Sequence, residues 1–143
     1  MQNNFHQLVD DLVRINKETR HNLKNLVMDI TMTQYATEVA TVHCNIGRRT
    51  GKTSYIISRA KPTDLVIVHN DMVIRSMYPS SINVLTSSSV YSFMDQLRGK
   101  RVRIYPSTIY IDEPRLCSSY KPLFEIYSLL AKSPDQTFVL LGE

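Results

Sequence analysis

Five short apolar runs, rich in β-branched residues and separated by polar or amphipathic stretches, constrain this chain more than any other feature. Val39–Cys44, Asp64–His69, Ile82–Thr86, Thr108–Ile111 and Gln136–Leu141 have the length and composition of strands. Asp64–His69 (DLVIVH) is continuously apolar at its centre, as in a strand covered on both faces. Between these runs the pattern becomes helical. Ser54–Arg59 suits the first turns of a helix ended near Pro62, and Ser89–Leu97 a short helix ended by Gly99. Pro122–Ala131 reads as an amphipathic helix with proline at its start. Upstream, Asn4 can cap a helix whose apolar positions are Phe5, Leu8, Val9, Leu12 and Val13. Leu23, Leu26, Val27 and Ile30 repeat that spacing, so residues 4–30 read as one long helix or two. Thr31–Thr37 is polar and is expected to break it. Alternation of this kind means βαβ units, a parallel sheet and right-handed crossovers. The expected fold is a three-layer α/β domain spanning 1–143, with a mostly parallel five-stranded sheet. Residues 1–33 form a helical segment packed beside the sheet, and 34–143 form the core.

Composition sets the outer bounds. A chain of 143 residues matches one domain and buries roughly 70% of its unfolded surface. With 43% apolar and 21% charged residues, wholesale disorder is excluded. Cys44 and Cys117 supply neither a disulfide framework nor, without CxxC or a Cys/His cluster, a zinc site. They point to a reducing, cytoplasmic setting. Met1–Asp11 carries no cationic leader or apolar h-region, and no apolar run approaches the ~20 residues of a membrane span. The net charge of +4 permits a polyanionic partner without requiring one. Arg98, Lys100, Arg101 and Arg103 read as a solvated basic turn.

Two motifs carry chemistry. Gly47-Arg48-Arg49-Thr50-Gly51-Lys52-Thr53 follows a strand and opens a helix, the context a phosphate-binding loop requires. Glycines let successive N–H groups turn inward around phosphate oxygens, and the helix amino terminus adds partial positive charge. Lys52 is placed to reach the β- and γ-phosphates, and the Thr53 hydroxyl to ligate Mg²⁺. Against the general pattern GxxxxGK[ST], the first glycine falls one position late, at Gly47 instead of Ile46. The second motif, Thr108-Ile-Tyr-Ile-Asp112-Glu113, is an apolar strand ending in adjacent carboxylates sixty residues beyond Lys52. The carboxyl edge of an α/β sheet is where its ligand sits. Asp112 there can hold the Mg²⁺ shell, and Glu113 can activate the attacking water. The ordinary alternative is that Asp-Glu-Pro merely ends a strand.

Together the motifs resemble the core of a P-loop NTPase, of the branch with an added strand and a catalytic glutamate beside the magnesium aspartate. Within it the chain is similar to the ATPase domain of phage large terminases and the first motor domain of DNA helicases. The resemblance covers roughly residues 34–143 and implies a RecA-like fold with ATP and Mg²⁺ as cofactors. The terminase form [SG]-R-x-x-G-K-T fits Gly47–Thr53 and implies that Arg48 acts on the γ-phosphate as a finger supplied in cis, beside Lys52 and Glu113. The helicases carry an adenine-reading glutamine upstream of the loop, and Gln34 lies eighteen residues before Lys52; a polar helix cap explains it equally well. Where those families carry a coupling motif of small hydroxyl residues, this chain has Leu141-Gly142-Glu143. Movement along a polymer is therefore expected to need a homo-oligomer or a partner subunit. The implied function is an ATP-binding, ATP-hydrolysing protein acting on nucleic acid, DNA first, in a bacterial host's cytoplasm if phage-encoded. The alternatives are a non-hydrolysing nucleotide- or nucleic-acid-binding regulatory module, and behind it a nucleotide kinase. His43 and His69 read as packed or edge histidines, Thr86–Ser89 as a strand-to-helix turn, and Cys44 as a small buried hydrophobe. Tyr55, Tyr78, Tyr91 and Tyr105 read as packing side chains.

Overall fold

The structure is a computed structural model that describes residues 3–23, 30–46, 51–69, 76–90, 105–118 and 122–143. Five strands form one sheet: β1 (Thr41–Cys44), β2 (Leu65–Val68), β3 (Val84–Thr86), β4 (Thr108–Asp112) and β5 (Thr137–Leu141). Their order is β1-β5-β4-β2-β3, and every neighbouring pair is parallel. All five expected strands are present. Four are trimmed at their ends, while β4 extends by one residue to take in Asp112. The last strand in sequence is interior in space, and the apolar TFVLL of β5 is buried at every position. The edge strands β1 and β3 are the less covered ones, as their mixed burial shows.

Alternation along the strands sorts the core into two layers. Leu65, Ile67, Ile109, Ile111, Phe138 and Leu140 face one way, toward Ala36, Cys117, Ile126, Tyr127 and Leu130. Val66, Val68, Tyr110, Val139 and Leu141 face the other, toward Phe5, Val9, Tyr55, Ile56 and Tyr78. The sheet is therefore covered on both faces, as its continuous apolar runs require. The second face is roofed by α1 (Asn3–Leu23) and α3 (Lys52–Arg59). The α1 register follows the expected stripe except at Leu8, which is exposed; Phe5 and Val9 are buried and Leu12 and Val13 pack against the same cluster. Asn4 lies inside the helix instead of capping it. Asp10 joins α1 to α3 by accepting from Arg59 Nη2 at 2.9 Å and Tyr55 OH at 2.9 Å. The Arg59 guanidinium holds its carboxyl below the ordinary range. At the far end of α1, the buried Arg20 donates to the carbonyls of Gln136 and Pro134 and to Thr137 Oγ1. Since Phe5 meets Tyr55 of α3 while Arg20 meets the start of β5, α1 runs against the strand direction.

Two helices depart from the sequence reading. Met32–Glu38, expected to be a break, is α2. Its polarity conceals the helix because only Tyr35 and Ala36 are buried. Thr31 supplies the cap, accepting from the Gln34 N–H at 3.1 Å. A short α4 (Pro114–Ser118) follows β4 directly, where only a turn was expected. It is seeded by the Glu113 carbonyl, which accepts from the amides of Leu116 and Cys117. Then α5 (Leu123–Leu130) presses Ile126, Tyr127 and Leu130 onto the first face. Ser87–Ser89 forms a single 3₁₀ turn closed by Thr86 Oγ1 against Ser89 Oγ at 2.8 Å. The expected helix through Leu97 with Gly99, the basic cluster at 98–103, and the 24–29 part of the first helix lie outside the described residues. Among the described residues no helix is long and apolar enough to cross a membrane.

Candidate functional site

Parallel pairing makes every strand deliver its following residues to the same edge. The register aligns Cys44 of β1, Leu141 of β5 and Asp112 of β4 in one row. The loop after β1, the turn after β5 and the carboxylates after β4 therefore leave the sheet side by side. Two segments sixty residues apart in sequence meet there because β5 is inserted between their strands.

Gly51 caps α3 in the left-handed region, with φ of 91°, a conformation that suits glycine and lets the chain turn into the helix. Lys52, the first helical residue, forms an ion pair through Nζ with Glu113 Oε1. Thr53 Oγ1 donates to Asp112 Oδ2 at 3.3 Å. The parity of β4 turns Asp112 toward the α1 and α3 face, the side on which Tyr110 lies. There it is 6% exposed and accepts a second bond on Oδ2 from Tyr78 OH at 2.9 Å. Burial pushes the Asp112 carboxyl above its ordinary range and the Glu113 charge adds to that. The Tyr78 bond and the Lys52 ammonium act the other way. Burial, then the Asp112 charge, keeps the Tyr78 phenol protonated, so it serves as a fixed donor. Behind the site, Cys117 Sγ donates to the Asp112 carbonyl at 3.4 Å, and burial pushes its thiol up to about 12. It is an inert packing thiol at neutral pH.

Glu113 leaves the strand with φ of 56°. Its N–H donates to Leu141 O at 2.8 Å, and its Oε2 accepts from the Glu143 N–H at 3.3 Å. Lys52, Thr53, Gly51, Asp112 and Glu113 are thus brought together as the motifs require. Gln34 is not brought to them by any contact among the described residues; it stands on the exposed face of α2, in the first turn that Thr31 caps. Gly47, Arg48, Arg49 and Thr50 lie outside the described residues. His43 is exposed and its Nε2 donates to Gly142 O at 2.8 Å, while Cys44 is buried, as read. Tyr78 was read only as a packing residue. It belongs to the polar stretch between β2 and β3, where no periodicity marked it. A cavity of about 310 Å³ lined by Lys17, Arg20, His21, Tyr35, Pro134 and Asp135 lies at the opposite edge of the sheet. There both Nη atoms of Arg20 are committed to protein acceptors, while its buried Nε has no partner among the described residues.

The donor set has a definite chemical character. One buried carboxylate and one hydroxyl, 3.3 Å apart, are too few to enclose a cation, and among the described residues no group of three acidic, histidine or cysteine side chains gathers around one. Such a pair suits Mg²⁺, which keeps most of its waters and takes its other ligands from phosphate oxygens. No protein-family model matches the chain, and no curated protein matches it.

Proposed function

We propose that the chain is a P-loop NTPase-like protein that binds ATP with Mg²⁺ at the carboxyl edge of its sheet and hydrolyses it in work on nucleic acid. The observation that carries the reading is the convergence of Lys52 and Thr53 with Glu113 and Asp112, each on the element its motif demands. The position of β5 supports it too, since the added strand of the resembling branch has a counterpart between the strands that carry the two motifs. Lys52 is half of an ion pair that an incoming phosphate replaces, and the amides opening α3 face the same place. Thr53 and Asp112 would hold Mg²⁺, which when bound neutralises charge on the phosphates. Glu113 takes a proton from the water that attacks the γ-phosphorus, and the bond to the β–γ bridging oxygen breaks to release ADP. Arg48 keeps the role that the resemblance implies, on the γ-phosphate; Gln34, which no contact among the described residues brings to the site, is assigned none.

A second reading, a module that binds nucleotide without turnover, is favoured by the Lys52–Glu113 pair itself, which occupies the water-activating carboxylate. ATP binding and hydrolysis, with and without DNA, separate the readings for the parent and for Lys52→Ala. DNA-stimulated hydrolysis lost in Lys52→Ala supports the motor. Mg²⁺-dependent binding without hydrolysis supports the module. Transfer of phosphate to a nucleoside monophosphate supports a kinase instead. Absence of nucleotide binding in the folded parent overturns the proposal.

A further inference from the structure

The turn that follows β5 is shaped around one side chain. Gly142 has φ of 107°, and a Cβ placed on it would stand 2.6 Å from Glu113 Oε2, 2.7 Å from Cδ and 2.8 Å from Oε1. The Glu113 carboxylate therefore lies directly over the bare α-carbon of Gly142. The next amide, that of Glu143, donates to Oε2 at 3.3 Å, while Lys52 holds Oε1. The turn is itself fixed from β1 on one side and from α4 on the other. The Gly142 N–H donates to Cys44 O at 2.9 Å, its carbonyl accepts from His43 Nε2 at 2.8 Å, and Glu143 O accepts from the Arg115 N–H at 2.7 Å. Glu113 is fixed in turn. Its own φ of 56° is one that side-chain-bearing residues disfavour, and it is the sole non-glycine residue with positive φ among the described residues. The Leu141 carbonyl and the first amides of α4 hold it there.

We propose that Gly142 is the positioning residue for Glu113: the absence of a side chain at 142 and the amide of 143 together form the seat that aims the carboxylate. This rests on the reading of Glu113 as the group that activates water. Glutamate has three side-chain torsions, and Lys52 fixes the carboxylate only until a phosphate takes Lys52 away. The seat is what then remains to hold it. A methyl group at 142 meets the far end of a flexible side chain, and at φ of 107° it also strains the turn that carries the Glu143 amide, so both halves of the seat are disturbed and the carboxylate swings outward. A shift near 1 Å at a reacting group costs about 10²-fold in rate.

The test compares the parent with Gly142→Ala and Gly142→Asn, both of which φ of 107° strains, with a thermal melt of each showing that it is folded. Expected is a kcat for ATP hydrolysis about 10²-fold lower with the Kd of a fluorescent ATP analogue unchanged. A purely structural role would weaken both together. The Lys52 ζ-ammonium signal, followed by NMR in the nucleotide-free protein, is the second readout. In both variants it should move to the position it takes in Glu113→Ala, since the carboxylate has left. Folded variants that keep parental kcat, or that leave the Lys52 signal in place, overturn the proposal. If the parent binds no nucleotide, the proposed function fails while the Lys52 signal still decides the seat.

Discussion

Asp112 sets stability against chemistry within a single side chain. Its carboxylate is buried and its pKa raised, so between the ordinary carboxylate range and the raised value the folded state binds more protons than the unfolded one. Stability therefore falls as pH rises through that window. Asp112→Asn keeps an oxygen to accept from Tyr78 and Thr53 and removes the charge. We expect it to melt higher than the parent at pH 7, with about 3–4 °C for each kcal/mol regained. The gain should shrink as pH is lowered toward the carboxylate range, and ATP with Mg²⁺ should stabilise the parent alone. Thermal melts at several pH values, with and without the ligand, check both halves. Glu113 is partly exposed and sits on the amide of Glu143. Glu113→Gln should keep nucleotide affinity and lose ~10²-fold or more in turnover, since an amide cannot take the proton; parental turnover would remove Glu113 from its role. That these carboxylates meet Lys52 and Thr53 was legible in the sequence, because a strand–loop–helix order and an apolar strand ending in acids both deliver their residues to the carboxyl edge of a parallel sheet. Tyr78 and the seat at Gly142 were not, because each acts through one contact made in three dimensions.

At the scale of elements, the strands were legible and the small helices were not, for one physical reason. A strand buried on both faces must be apolar throughout, so LVIV and TFVLL announce themselves. A helix of seven residues that buries two leaves no stripe to read, and α2 is disclosed only by its Thr31 cap. Nor did pairing order follow from sequence, since nothing local to β5 says that it slots between β1 and β4. What anchors that strand is Arg20, whose guanidinium reaches from α1 to two carbonyls and the Thr137 hydroxyl. Arg20→Ala leaves the Gln136 carbonyl and the Thr137 hydroxyl buried and unpaired, and should lower stability by ~2–3 kcal/mol in urea unfolding. Arg20→Lys should recover only a minor part, because an ammonium cannot reproduce the spread of a planar fork. Full recovery by lysine would show that charge, and not geometry, ties α1 to β5.

For the whole molecule, the proposed hydrolysis requires a site at the rim of a single sheet to exclude water and stabilise the transition state. Glu113 and Lys52 retain 25% and 11% side-chain exposure at that rim. Phosphoryl transfer develops charge on the γ-phosphate, and an arginine beyond the loop lysine is worth ~10³–10⁵ in rate. Arg48 would supply it in cis; a neighbouring copy would supply it in trans. Arg115 is the described cation best placed to serve a neighbour. It stands at the start of α4 beside the site, its side chain 73% exposed and joined to Glu143 at 3.0 Å. An exposed pair of this kind is worth ~0–1 kcal/mol, so it releases the guanidinium at small cost. We expect turnover per mole to rise with concentration across a roughly hundredfold range, in step with association seen by sedimentation, and to rise further with DNA. Lys52→Ala and Arg115→Ala, each slow alone, should regain activity when mixed, because one copy keeps an intact loop and the other an intact arginine. A fast rate that stays constant on dilution, from a species that remains monomeric, would assign the whole of the charge stabilisation to the chain's own loop and leave Arg115 a surface residue.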